Sequence, residues 1–332
     1  MKCSRNMKLA ACLISALLMS LTVFAGGKKE AEAPAPSGKI SENQAVYIPL
    51  ISKGFQHQFW QAVKTGAEQA AREYNVVLTF EGPESETMVD KQIDMLAAAI
   101  AKKPAAIGLA ALDSQACAPF LAKAKNAGIP VIGFDSGVDS DIPITTASTD
   151  NYNAAAYAAD KMAELIGGSG EVAIVAADQT GKSNIDRRDG FAARIKKQYP
   201  NITIVDIQYA PDQLSATDVT KAIIQSRKNL KGIFGANEGC AIGVVNAVVE
   251  SKKEGSIVIV GYDSGKQQID AIKNGIMAGA ITQNPIGMGY KTVEAAVKVL
   301  KGEKVPANID TGFYWYDKTN IDDPEIKAVL YE

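Results

Sequence analysis

At 332 residues, 47% of them apolar and 22% charged, the chain is long enough for two domains and has the balance of a soluble globular protein. A formal net charge of −2 excludes the basic footprint of a nucleic-acid binder. One histidine and four cysteines leave little from which to build a metal site, and no cofactor is called for.

The N-terminus reads as an export signal. Lys2, Arg5 and Lys8 form a basic region, Leu9 to Phe24 an apolar one, and Val23-Phe24-Ala25 a small-residue cleavage site after Ala25. Its apolar run is short for a membrane span, and an uncleaved anchor is the alternative reading. Leu9-Ala10-Ala11-Cys12 fits a lipobox as a string but has almost no apolar run before it. Residues 26–44 are polar and Pro-rich, a flexible tether. The mature protein is therefore expected in the periplasm or at the outer face of the cytoplasmic membrane.

From Ala45 the pattern alternates strand and helix. Ala45–Ile51 reads as a strand, then come a polar loop (Ser52–Gln58) and a helix over about 59–74 with Phe59, Val63, Ala67, Ala70 and Tyr74 as its apolar stripe. A strand over 76–80, a helix over 88–101, an apolar run over 105–112, a helical stretch over 116–128 and strands at 131–134 and 144–147 follow. The second series has helices at 151–166, 185–198, 215–228 and 240–252 among strands at 172–176, 202–208, 232–236 and 257–262. A strand over 278–282, a helix over 286–300 and an extended aromatic segment over 310–316 complete it. Strand–helix alternation on this scale means parallel sheets covered on both faces. The predicted fold is α/β, with two Rossmann-like αβα lobes; residues 45–149 plus 284–310 form one, and 150–283 plus 311–332 the other.

One stretch occurs twice. Val131-Ile132-Gly133-Phe134-Asp135-Ser136-Gly137 is echoed by Ile259-Val260-Gly261-Tyr262-Asp263-Ser264-Gly265. Each is a buried-strand pattern opening into a polar turn, and each delivers a carboxylate at a strand's carboxyl end, where open α/β sheets bind ligands. Asp135 and Asp263 are thus expected on opposing walls of one cleft; the alternative is that both merely cap the helices that follow. Cys117 and Cys240 fall in different repeats and are expected as free, buried thiols.

Catalytic motifs fail. Gly181-Lys182-Ser183 lacks the upstream glycine of a phosphate loop, whose place Ala176 takes, and Gly167-Gly168-Ser169-Gly170 precedes a strand where a dinucleotide fingerprint must follow one. There is no nucleophile elbow, and His57 alone supplies no triad. The strand ends instead offer groups that exchange hydrogen bonds with hydroxyls: Asp135, Asp263, Asn237 and Gln283, with Arg187 in the helix after Gly181. Phe59 and Trp60 open the first helix. Trp60 is turned about 100° from the apolar stripe and is the better stacking candidate. Arg187 sits in a charged run, Asp186 to Asp189, whose default meaning is a solvated helix end. His57 reads as a residue of the cleft rim.

At these residues the chain resembles the type I periplasmic sugar-binding proteins, the ribose, galactose and allose receptors of ABC importers. The resemblance runs through Gln58-Phe59-Trp60, Ile132-Gly133-Phe134-Asp135, Asp186-Arg187-Arg188-Asp189-Gly190-Phe191, Gly235-Ala236-Asn237-Glu238, Val260-Gly261-Tyr262-Asp263 and Ile281-Thr282-Gln283. It implies two lobes joined by three crossovers that close on one monosaccharide and present it to an inner-membrane permease and its ATPase, the binding protein itself being a monomer and not an enzyme. It also implies that Phe59 and Trp60 flank the sugar while Asp135, Arg187, Asn237, Asp263 and Gln283 bind hydroxyls. His57, Ala110 and Ser136 stand where ribose receptors carry Asn, Asn and Arg, which turns the expectation from ribose toward a hexose, deoxy sugar, pentitol or branched pentose. A periplasmic sensor for chemotaxis or a furanose-like signal is the alternative function. Asp263→Ala is expected to abolish binding and to leave the melting temperature of the unliganded protein nearly unchanged.

Overall fold

The computed structural model describes residues 45–55 and 57–331. The export signal, its cleavage site and the tether lie outside the described residues. The first series runs β1 (Val46–Ile51), α1 (Gln58–Glu73), β2 (Val76–Glu81), α2 (Val89–Ala101), β3 (Ile107–Leu109), α3 (Ser114–Asn126), β4 (Val131–Phe134) and β5 (Thr145–Ser148). The second runs α4 (Asn151–Leu165), β6 (Gly170–Ala176), α5 (Lys182–Gln198), β7 (Ile202–Tyr209), α6 (Gln213–Ser226), β8 (Leu230–Gly235), α7 (Glu238–Glu250), β9 (Val258–Tyr262), α8 (Lys266–Lys273) and β10 (Gly279–Gln283). Then come α9 (Pro285–Leu300), β11 (Asn308–Asp310), β12 (Phe313–Asp317) and the short α10 (Pro324–Lys327).

The strands form two six-stranded sheets, ordered β11-β5-β4-β3-β1-β2 and β12-β10-β9-β8-β6-β7. The five leading strands of each series take the same relative order, so the repeat seen in sequence is a repeat of topology. Among the described strands, only β12 runs antiparallel, against β10. Interior strands such as β4 and β10 are buried throughout, as expected of a parallel sheet covered by helices on both faces. The chain passes between the sheets three times: after β5, after β10 and between β11 and β12. Two of these crossovers are laced together. Thr311 N–H donates to Ser148 O at 3.0 Å, and Thr149 Oγ1 donates to Gly312 O at 3.3 Å.

Sequence patterning missed α8, an eight-residue helix, and β11, a three-residue strand. Both are too short to show a period. It also missed Gln92, fully buried on α2, which ties the ends of two strands: its Nε2 donates to Ser52 O (2.9 Å) and Ala110 O (2.8 Å), and its Oε1 accepts from Leu112 N–H (2.9 Å). Cys117 and Cys240 are buried free thiols, and burial pushes that of Cys117 up to about 12, far from the reactive thiolate.

Each sheet is roofed by a helix pair brought close by glycine. A Cβ on Gly289 of α9 would lie 1.9 Å from Val63 O of α1, and one on Gly66 of α1 would lie 1.9 Å from Ile286 O. In the second series, a Cβ on Gly190 of α5 would lie 2.1 Å from Tyr152 O of α4. These contacts are with backbone, which cannot yield without moving a helix. Gly289→Ala and Gly190→Ala should each lower stability by about 1–3 kcal/mol in urea denaturation. A loss below about 0.5 kcal/mol, the scale of an ordinary surface substitution, would show that the helices are not in contact there.

Candidate ligand-binding cleft

The two echoed aspartates have the same backbone geometry. Asp135 follows β4 with φ +57 and Asp263 follows β9 with φ +80, the left-handed region that Asp and Asn tolerate better than other side chains. Each N–H bonds the neighbouring strand: Asp135 to Ala147 O at 3.0 Å and Asp263 to Ile281 O at 2.6 Å. Neither caps the helix that follows it in sequence. No helix follows Asp135 before β5, and α8 is capped by Gly265. The capping alternative is therefore removed, and the strain is of the kind that clusters at functional sites.

Asp135 and Asp263 line one cavity between the lobes, about 20 Å³, room for about one water. Small-molecule sites run to roughly 300–1,000 Å³, so the lobes must part to admit a ligand. All eight residues singled out from sequence line it: His57, Phe59, Trp60, Asp135, Arg187, Asn237, Asp263 and Gln283. Asp135, Asn237, Asp263 and Gln283 lie at or just beyond the carboxyl end of a strand, whereas His57, Phe59 and Trp60 stand at the start of α1 and Arg187 in the second turn of α5. Asn237 also caps α7, its Oδ1 accepting from Cys240 N–H at 2.9 Å, so its amide NH2 remains for a ligand.

Two expectations change. Trp60 is only 1% exposed and belongs to the same apolar cluster as Phe59. The rings meet edge to face at 4.9 Å, and the indole N–H donates to Glu86 Oε1 at 2.9 Å. The buried face of α1 is thus wider than a single stripe. Arg187 is 3% exposed, not solvated. Its Nε donates to Asn151 Oδ1 (2.7 Å), its Nη1 donates to Ala236 O (3.3 Å) and lies 3.7 Å from Asp263 Oδ2, and its plane covers the Tyr262 ring at 3.8 Å. Burial opposes its charge, but Tyr262, Asp263 and Asp135 outweigh that and raise its pKa.

Four lining residues escaped the sequence reading: Lys53, Glu86, Asn184 and Glu238. Lys53 lies in the loop after β1, 6% exposed, its Nζ 3.0 Å from Asp135 Oδ2 and donating to Ser183 Oγ of the other lobe at 3.3 Å. Burial disfavours its ammonium, yet Asp135 and Glu86 hold its pKa above the ordinary value. Glu86 is pushed upward by burial but held below its ordinary range by Lys53, His57 and the Trp60 N–H. A charged residue in the turn after a strand was the available signal; nothing local showed which charges face inward.

Asp263 is held from several sides. Its carboxylate accepts from Glu238 N–H (2.9 Å) and Gln283 Nε2 (2.7 Å), and its own carbonyl accepts from Tyr316 Oη (2.7 Å). The next residue, Ser264, donates its N–H to Tyr331 Oη at 3.1 Å, while the Tyr331 ring meets Phe59 at 5.7 Å. Asp263→Ala would strand the Glu238 N–H and the Gln283 amide and place alanine at φ +80, so the structure turns the expected unchanged melting temperature into an expected loss. Two buried acceptors on lining residues, Glu238 Oε2 and Gln283 Oε1, have no hydrogen-bond partner. They leave the cavity rich in acceptors, and its chemistry is to receive O–H or N–H groups.

Comparison with known proteins places this geometry. The periplasmic binding protein domain family matches residues 48–304. The D-allose-binding periplasmic protein of Escherichia coli (strain K12) is 28% identical over 270 residues, 79% of this chain and 86% of that protein. An ABC transporter solute-binding protein from Agrobacterium vitis with bound D-fucose is 35% identical, covers 86% of this chain and 100% of its own, and superposes with a TM-score of 0.82. Another from the same organism, bound with alpha-D-tagatopyranose, is 30% identical, covering 86% and 99%, with a TM-score of 0.84.

His57 meets Glu238 across the cleft, Nδ1 to Oε1 at 3.4 Å. Burial alone would lower its pKa. The bond to Glu238 on α7 and the charges of Glu86 after β2, Glu238 and Asp263 after β9 outweigh burial and push it up to about 9. An unpaired imidazole titrates near about 6.5. The pair's contribution to lobe contact is therefore fully present below about pH 6.5 and lost as pH rises through about 9. As the chain has one histidine, its ring signals in an NMR titration report this site alone. A midpoint near 9 is expected, and one near 6.5 would contradict the cross-lobe pair.

Proposed function

The chain belongs to the periplasmic binding protein family, and from that premise we propose that it is the substrate-binding protein of an ABC importer. It takes one monosaccharide, a pentose, hexose or related polyol, between Asp135 and Asp263. The observation that carries this is the pair of unpartnered buried acceptors, Glu238 Oε2 and Gln283 Oε1, on residues around the cavity that Asp135 and Asp263 share. A vicinal polyol supplies several O–H donors, while the amide of Asn237 and the guanidinium of Arg187 give back donors to its oxygens. Phe59 and Trp60 offer ring edges and faces to its C–H surface. A buried ion-pair network fits a neutral guest, which adds no charge of its own to be compensated.

Residues 45–149 with 284–310, and 150–283 with 311–332, would move as two bodies about the three crossovers. Closing them on the sugar presents a composite surface to an inner-membrane permease and its ATPase, and the differential affinity of the sugar for the closed form drives the motion. The protein works as an exported monomer, its signal peptide removed after Ala25. The names of its relatives are those of import proteins, and nothing in the cleft favours the sensor reading. It binds and releases without chemistry.

A panel of D-fucose, D-tagatose, D-arabinose, D-allose, D-ribose and xylitol in thermal unfolding tests this. At a hundredfold excess over Kd, a true ligand should raise the melting temperature by about 5–10 °C. Absence of a shift for every pentose, hexose and polyol would overturn the sugar assignment.

A further inference from the structure

A second hollow adjoins the first. It has a volume of about 420 Å³, is open to solvent, and is walled in part by Ala210, Pro211, Gln213 and Ile242 of the second lobe. Four residues line both spaces: His57, Glu86, Asn237 and Glu238. Glu86 is held by the Trp60 indole, and Asn237 by the α7 backbone. His57 and Glu238 instead hold each other, one from each lobe, with side chains 19% and 11% exposed. The pair stands in the passage between the inner cavity and the outer hollow.

The wall has a built seat. A Cβ on Gly265 would lie 2.4 Å from Glu238 Oε1, so the last residue of the echoed Asp-Ser-Gly leaves space for the carboxylate. A Cβ on Gly239 would lie 3.8 Å from His57 Cε1, ordinary contact, so the imidazole rests on the first turn of α7. Glu238 Oε2 is buried and unpartnered, which gives the wall an acceptor for a ligand hydroxyl.

We propose that the His57–Glu238 pair is a partition that sets ligand length, confining the site to one sugar ring and excluding glycosides. This rests on the sugar reading for its ligand class but not for its geometry. Removing both side chains joins the two spaces into one channel, in which a glycosidic substituent projects past Asn237 toward Pro211. Removing both together also leaves no unpaired buried charge.

The test needs no sugar for its first arm. The chain has two tryptophans, so Trp315→Phe leaves Trp60, which lines the inner cavity only, as sole reporter. Acrylamide should quench Trp60 weakly in that background and several-fold more strongly once His57→Ala and Glu238→Ala are added. Ser183→Ala, which removes the cross-lobe bond from Lys53 Nζ to Ser183 Oγ, is the control for simple lobe opening. Equal quenching in the double variant and its parent overturns the partition, as does an equal rise in Ser183→Ala. In the second arm, calorimetry compares D-fucose with methyl and phenyl D-fucopyranosides, or the corresponding pair for whichever panel sugar binds. The Kd ratio of glycoside to free sugar should fall about tenfold or more in the double variant, the scale on which pockets discriminate by size. An unchanged ratio overturns the length role. If no sugar binds either protein, the sugar reading fails and quenching alone decides the partition.

Discussion

Three cationic side chains and four carboxylates share one buried space: Lys53, His57 and Arg187 against Glu86, Asp135, Asp263 and Glu238. Each charge taken from water needs partners, and the chain supplies them from both lobes. Lys53 lies against Asp135 and reaches Ser183; His57 crosses to Glu238; Arg187 is fixed by Asn151, Ala236 O and Asp263. This requirement fixes where the strands must end and which turns follow them. It also accounts for the left-handed backbone at both aspartates, which turns each carboxylate into the gap at a cost of about 1–3 kcal/mol apiece.

The two lobes share topology but not detail. The first aspartate is neutralised by a lysine from its own lobe, the second by an arginine, a glutamine and a backbone N–H. The glycine of Asp-Ser-Gly is required in the second copy, where Glu238 occupies the space of its missing Cβ. In the first copy the nearest atoms to a Cβ on Gly137 are 3.8 Å away, on Thr146. The C-terminal segment joins the copies: Tyr331 packs against Phe59 of one wall while its hydroxyl receives Ser264 N–H beside the other. Ligand, crossovers and chain end are thereby mechanically connected.

Much of this was legible in the sequence because long periodic elements and a repeated strand-end motif are local signals. Eleven of the twelve described strands, eight of the ten described helices and the shared cavity of Asp135 and Asp263 all follow from such signals or from the family resemblance. What escaped was set by contacts between lobes or between distant turns. Glu238 has meaning only opposite His57, and Lys53 only beside Asp135. Gln92 gives no local signal because its three partners lie outside its own helix. Trp60 was judged by its angle on one helix, whereas Glu86, 26 positions later, decides where its indole N–H points.

The account stands on one guest being held at once by both strand-end aspartates. Calorimetric titration of the panel sugar that binds into Asp135→Asn and Asp263→Asn measures this directly, since asparagine keeps both the shape and the tolerance for positive φ. Each variant should bind one sugar per chain with affinity weakened about 10- to 150-fold, the value of a charge-assisted hydrogen bond. Wild-type affinity in either variant would mean that its carboxylate does not touch the sugar, and the two-walled grip would be wrong.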